Sequence, residues 1–336
     1  MKLRHHALAR ALPVLLVAAM LAGLTCCTKK STAQTSTTDL TLNLKTPFRF
    51  VVYGDTRFHN PNDTEAANPA ARRALVQGIA DARPAFLCFT GDIVYNGDDA
   101  SDWKIWDSET AVLRDEKIPV FPALGNHDLH GNLTLALSNY FERFPELKNS
   151  RYYSVRIGNV LLLVLDSSLE EISGPQAEWL AGKLDHVASD VNFVVVMDHH
   201  PPYTSSSDAK MFGGGHSARS REQALAKMLE MRQSRAPYRI VFFSGHVHNY
   251  ERHEHGGITY FVSGGGGAHA YPIERAPDDP FQSKEINYHY LLVEVDGQHM
   301  KITMNRLQLE AGKASWTTPD QVQISVPATA AMKAVR

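Results

Sequence analysis

Short apolar runs bounded by Gly, Pro, Asn or Asp recur along the chain: Phe48–Tyr53, Ala85–Thr90, Val120–Leu124, Tyr152–Ile157, Val160–Leu165, Phe193–Met197, Ile240–Ser244, Ile258–Ser263, Tyr290–Val295 and Met300–Asn305. Runs of this length between turn-forming residues predict buried strands. Longer segments of helical composition lie around Ala66–Ala82, Ser101–Glu116, Gly174–Ala188 and Arg219–Ser234. Pro175 and Asp102 stand near two of their starts, where both residue types suit the first turn. Strands that alternate with helices and then pair as hairpins predict a layered α/β domain with mixed sheets.

Composition narrows the class. With 43% apolar and 21% charged residues over 336 positions, the chain is neither disordered nor a small stapled scaffold. Its 34 basic residues nearly balance 36 acidic ones, for a net charge of −2, so no global basic field exists to hold a polyanion. Dedicated nucleic-acid binding is thereby disfavoured. The 16 histidines against three cysteines are the unusual count, because imidazole is both a metal ligand and a proton carrier.

Two of the cysteines belong to the N-terminus. Lys2, Arg4 and Arg10 precede an apolar run from Ala11 to Leu24, the layout of a secretory signal peptide, and the run is too short to span a bilayer. Leu24-Thr25-Cys26-Cys27 resembles a bacterial lipobox, with Leu24 three residues before Cys27. Residues 1–27 are therefore expected to be a signal peptide of lipoprotein type, lipidated at Cys27, with plain secretion and an uncleaved anchor as alternatives. The Ser-, Thr- and Lys-rich stretch 28–46 reads as a flexible tether, 47–310 as the folded domain and 311–336 as a peripheral C-terminal segment. Cys88, inside Ala85-Phe86-Leu87-Cys88-Phe89, is expected to be a buried core thiol.

The chemistry collects just after the strands, where α/β sheets place their ligands. Asp55, Asp92, the Asn126-His127-Asp128 run, the Asp198-His199-His200 run, and His246 with His248 each follow an apolar run. One such turn is ordinarily a cap or bend. Five together offer mixed nitrogen and oxygen donors without thiolates, which suit zinc, iron or manganese. Their number supports two ions, the arrangement that activates water and neutralises charge on a transferring phosphoryl group.

Gly54-Asp55, Gly91-Asp92-Ile93-Val94-Tyr95, Gly125-Asn126-His127-Asp128, His199-His200-Pro201 and Gly245-His246-Val247-His248 resemble, in order and spacing, the blocks of the calcineurin-like metallophosphoesterases, and most closely the purple acid phosphatase branch. The resemblance implies two mixed β-sheets packed as a sandwich flanked by helices. It implies Asp92 as the bridging ligand, with Asp55, Tyr95 and His248 on a first ion and Asn126, His199 and His246 on a second. His127 becomes the catalytic histidine that meets the phosphate, with Asp128 orienting its ring. The tyrosine implies Fe(III) paired with Zn, Mn or Fe(II), with Mn/Mn and Zn/Zn pairs as alternatives; a Tyr95 that packs beside the site without ligating is the other reading.

The wider family has Asp-x-His at the first block, whereas this chain has Asp55-Thr56-Arg57. A guanidinium stays protonated and cannot ligate a metal. Arg57 is thus either a bidentate clamp on substrate phosphate or a structural arginine beside a ligand-poor first ion. His216, after Gly213-Gly214-Gly215, is either a substrate contact or a solvated loop residue. His253 is expected in a structural role, Gly264–Gly267 as a tight turn beneath the site, and Trp103 and Trp106 as core. The expected function is an exported phosphoric ester hydrolase of the bacterial cell envelope, acting on small phosphomonoesters through metal-activated water. A phosphodiesterase on the same site and a non-catalytic metal-binding lipoprotein are the alternatives.

Overall fold

The computed structural model describes residues 37–168, 172–207 and 216–326. One sheet runs in the order β1 (Thr38–Leu42), β5 (Tyr153–Ile157), β6 (Val160–Val164), β7 (Phe193–Met197), β8 (Arg239–Ser244), β10 (Ile258–Ser263) and β9 (Tyr250–His255). The other runs β13 (Lys313–Thr317), β12 (His299–Glu310), β11 (His289–Asp296), β2 (Phe48–Tyr53), β3 (Leu87–Phe89) and β4 (Val120–Pro122), with β14 (Gln321–Ser325) also paired to β12. Both sheets are mixed. In the second, β2, β3 and β4 are parallel while β11 to β14 are antiparallel; in the first, β6, β7, β8 and β10 form a parallel centre.

Strand alternation builds the layers. Val195 and Met197 of β7 join the core shared with Val51 of β2 and Val293 of β11, whereas Val194 and Val196 face a second cluster. That cluster holds Leu180 and Leu184 of α5 (Gly174–Asp185) and Leu225 and Leu229 of α6 (Ser220–Gln233). Because both faces of the central strands are covered, they read as unbroken apolar runs in the sequence. Helix α1 (Pro69–Ala82) sends Leu75 and Ile79 into the first core, capped by Asn68, whose side chain accepts the N–H groups of Ala70 and Ala71. Cys88, Trp103 and Trp106 are buried, as their sequence neighbourhoods imply.

Three local expectations need correction. The tether expected over 28–46 contains β1, whose Leu40 and Leu42 alternate with Asp39 and Thr41 and pack against the core. The helix expected over Ser101–Glu116 is two, α2 (Ala100–Glu109) and α3 (Ala111–Asp115), divided at Thr110, whose hydroxyl bonds back to the Trp106 carbonyl at 2.6 Å. Asp102 stands in the first turn of α2, as expected, where it accepts the Asn96 N–H and meets the His59 ring, and Asp99 is the cap. An unexpected helix, α4 (Leu133–Arg143), leaves Leu133 and Leu135 exposed, so its apolar residues do not trace one buried stripe. Residues 1–36 and 327–336, including Cys27 and the expected signal peptide, lie outside the described residues.

His289, at the start of β11, is fully buried, with Nδ1 2.8 Å from the Asn287 carbonyl and Nε2 3.1 Å from the Ser263 hydroxyl. Burial pushes its pKa from 6.5 down to about 4. The unfolded chain takes up this proton first, so the stability that His289 confers is complete above pH 6.5 and fades as the pH falls toward 4. The full difference amounts to about 3 kcal/mol. Denaturant titrations of His289→Gln should show a shallower loss of stability over that window than the parent; identical slopes would refute the assignment.

Candidate metal centre

The loops that follow β2, β3, β4, β7 and β8 meet at one end of the sandwich and interlock through their backbones. Asp55 donates its N–H to the Gly91 carbonyl at 2.9 Å, Thr56 and Arg57 donate theirs to the Asp92 carbonyl, and Gly245 donates to the His199 carbonyl. Asp55, Arg57, Asp92 and His246 all hold φ between 46° and 68°, a left-handed conformation that non-glycine residues avoid. Strain at four neighbouring positions needs such cross-bonding to persist. Close approach also requires glycine: a Cβ on Gly125 would collide with the Asp92 backbone N and carboxylate, and one on Gly245 with the Asp55 carboxylate. The Gly264–Gly267 run lies beneath, as expected, with Gly266 donating to the Gly54 carbonyl.

Around His199 the donors converge. Its Nε2 lies 3.0 Å from Asn126 Oδ1, 3.2 Å from His246 Nδ1 and 3.4 Å from Asp92 Oδ1. Tetrahedral bonds of about 2.0–2.1 Å would set ligand atoms about 3.3 Å apart, the spacing at which His199 Nε2 stands from each of these three atoms. The His199 ring is fixed from behind by Nδ1, 2.9 Å from the Thr90 carbonyl, the support a ligating imidazole needs. Burial holds His199 below the usual histidine range and His248 well below it, leaving neutral rings with lone pairs for a metal.

On the other side of Asp92 stand Asp55 and His248, whose Nε2 is buried without a hydrogen-bond partner, 3.7 Å from Asp55 Oδ1. His248 Nδ1 is held by the His269 carbonyl at 2.9 Å. Burial, then the Asp92 charge, raises the Asp55 pKa well above the usual carboxylate range. Burial works in the same direction on Asp92, but His199, His127 and Arg57 outweigh it and hold that carboxyl low. The arrangement thus keeps one negative charge on adjacent carboxylates until a cation relieves the other.

Of the expected site residues, Asp55, Asp92, Asn126, His199, His246 and His248 are brought together. Arg57 enters the same cluster, its Nη2 3.5 Å from Asp92 Oδ2. His216 also arrives, its ring 4.8 Å from that of His246 and 5.5 Å from that of Tyr271. His127 sits beside the centre, its backbone N–H donating to Asp92 Oδ1 at 2.8 Å.

One assignment changes. Asp128 does not orient the His127 ring; Nδ1 of that ring lies 2.8 Å from the Tyr95 carbonyl. Asp128 is instead a buried clamp whose carboxylate accepts the N–H groups of Asp92, Ile93, Val94 and Gly125 at 2.8–3.2 Å. Tyr95, expected on the first ion, has its ring against those of His59 and His127, at 5.0 and 5.2 Å, which places it beside the centre. The guanidinium of Arg57 takes the Asp92 oxygen on that side. His200 and Tyr271 complete the wall: the His200 ring lies 4.3 Å from that of His246 and its Nδ1 3.1 Å from the Ser167 hydroxyl, while the Tyr271 hydroxyl oxygen accepts the His248 N–H. Adjacency to His199 was the sequence signal for His200; nothing local signalled Tyr271. His253 is structural, between Glu251 and Asp279.

A two-sheet sandwich that gathers carboxylates, an asparagine and histidines at its strand ends defines a metal-dependent phosphoesterase architecture. The sequence model of the calcineurin-like phosphoesterase family matches residues 48–250, and the chain belongs to that family. Among characterised relatives it is 26% identical over 230 residues to purple acid phosphatase 23 of Arabidopsis thaliana, covering 66% of this chain and 45% of the plant protein. It is 27% identical over 232 residues to the human serine/threonine-protein phosphatase CPPED1, covering 61% and 70%. The chain thus spans less than half the length of purple acid phosphatases 23 and 15 of Arabidopsis thaliana, 45% and 36%. In fold it is similar to the purple acid phosphatase PPD1 of yellow lupin, with a TM-score of 0.61 and 18% identity over 84% of this chain and 54% of that one.

Asp128→Ala would strand four backbone N–H groups, each costing about 1–3 kcal/mol when buried unpaired. The variant should lose at least about 3 kcal/mol of stability and shed metal during gel filtration. Parental stability in a denaturant titration would count against the clamp.

Proposed function

We propose that this protein is an exported, metal-dependent phosphatase that hydrolyses small phosphate monoesters. The observation that carries the reading is the convergence of Asn126, His246 and Asp92 donor atoms within 3.4 Å of His199 Nε2. This donor set suits zinc, manganese or iron. Metal held there supplies Lewis-acid charge for the phosphoryl group and activates the attacking water.

The chain's own residues supply the rest. Nδ1–H of His127 donates to the Tyr95 carbonyl, which leaves Nε2 to serve the substrate. Burial lowers the His127 pKa from 6.5 to about 4, so Nε2 takes up a proton when the negative charge of a bound phosphate stabilises the imidazolium, and from there the proton can pass to the departing alcohol oxygen. Arg57 offers fixed positive charge to the phosphate oxygens, with its side chain 15% exposed and so within reach of a bound ester. His216 extends the wall of the site on the side of His246. The near-neutral net charge of −2 favours small phosphorylated substrates over long nucleic acids. Export rests on the basic and apolar N-terminal pattern, and membrane attachment on lipidation of Cys27.

His127→Ala should retain metal and lose at least about a hundredfold in turnover of p-nitrophenyl phosphate. Full activity in that variant would remove His127 from the mechanism, and faster turnover of bis-p-nitrophenyl phosphate by the parent would favour a diesterase. In cell fractionation, Cys27→Ala should move the protein from the membrane to the soluble envelope fraction; unchanged membrane association would reject the lipid anchor.

A further inference from the structure

The position that a first ion would take in a two-ion centre contains a side chain that cannot ligate one. Asp92 divides its oxygens: Oδ1 accepts the His127 N–H and faces His199, whereas Oδ2 faces Arg57 Nη2 at 3.5 Å. The oxygen of Asp92 that does not face His199 is thus engaged by a guanidinium, a permanent cation with donors and no lone pair to offer.

The placement of Arg57 is built rather than incidental. Its backbone holds φ 46°, with the N–H donating to the Asp92 carbonyl at 3.1 Å. Its carbonyl accepts from Arg72 Nη1 at 3.2 Å, and Arg72 is itself buried, forked onto Glu109 at 2.8 and 3.0 Å and set over the Phe58 ring at 4.7 Å. The Arg57 side chain is largely buried, its Nε has no hydrogen-bond partner, and its charge acts on Asp55, Asp92 and His248 alike. Among the described residues, Asp55 and His248 are the carboxylate and imidazole donors brought together here in addition to Asp92, and the Tyr95 ring lies against those of His59 and His127. That set is poor for a resident ion, and the neighbouring guanidinium repels one.

We propose that Arg57 is the fixed cation of the first position, so that the chain holds one ion tightly, at the Asn126, His199, His246 and Asp92 donors, where a two-ion centre would hold a pair. The arginine replaces the charge of the absent ion but not its exchange with solvent. This inference rests on the metal centre described above, and ion counting tests it independently of turnover.

The full-length protein, stripped with a chelator, reloaded with excess Zn(II) or Mn(II) and desalted, should retain about one ion per chain by elemental analysis. Arg57→His, which restores the Asp-x-His pattern of the wider family, should rise to about two, and Arg57→Lys, which keeps the charge, should stay at about one. Loaded with iron, the parent should show no phenolate-to-iron absorption band. Two ions in the parent, a spin-coupled Mn(II) pair in its electron paramagnetic resonance spectrum, or the iron band would each overturn the proposal whatever the variants do. A parent that holds one ion without hydrolysing phosphate esters upholds this count and rejects the phosphatase reading instead.

Discussion

Two carboxylates with no exposed surface, Asp55 and Asp92, lie side by side at the ends of adjacent parallel strands, and the rest of the site follows from keeping them there. Neighbouring buried acids cannot both be charged without nearby compensation. The structure supplies it in graded form. Backbone N–H groups of His246 and His127 point at the two carboxylates, the Arg57 guanidinium takes one oxygen of Asp92, and the imidazoles of His199, His246 and His248 complete the shell, those of His199 and His248 kept neutral by burial. A bound cation supplies the missing charge, so metal affinity and the geometry of the folded loops are two expressions of one electrostatic requirement.

Two sheets are needed to meet that requirement. Asp55, Asp92 and Asn126 come from loops after β2, β3 and β4 of one sheet, and His199, His246 and His248 from loops after β7 and β8 of the other. Only packing the sheets face to face brings the six together, which ties the site to the shared apolar core. The backbone bonds that cross between loops then tolerate left-handed φ at four non-glycine residues. Asp128 extends the same logic: a buried carboxylate beneath the Asp92 loop fixes the direction in which Asp92 points by accepting four N–H groups in the region.

Much of this was legible in the sequence because the ligands directly follow apolar runs that both sheets bury. Phe193–Met197 reads as a strand since its two faces pack on different cores, and the His199 loop after it is therefore placed without further information. The failures have physical causes of their own. β1 is a half-buried edge strand whose Ser, Thr and Lys surroundings resemble a tether, and α4 exposes leucines that blur its buried stripe. Asp128 was misread because a carboxylate beside a histidine in sequence need not face it in space; a sharp turn directs it to the backbone instead. The role of Arg57 was left open between two readings since sequence gives the residue but not which oxygen of Asp92 it meets.

The fold does not by itself select an activity, since one architecture hosts catalytic and non-catalytic proteins alike. What distinguishes this chain is the concentration of unfavourable features in a single place. Left-handed backbone at Asp55, Arg57, Asp92 and His246, two adjoining buried acids, and an unpartnered His248 Nε2 all weaken the folded state. A domain with an extensive apolar core tolerates such a cluster but gains no packing from it. A role limited to structure would be served as well by apolar residues in relaxed turns, so the joint presence of strain, buried charge and converging donors points to chemistry performed on a ligand.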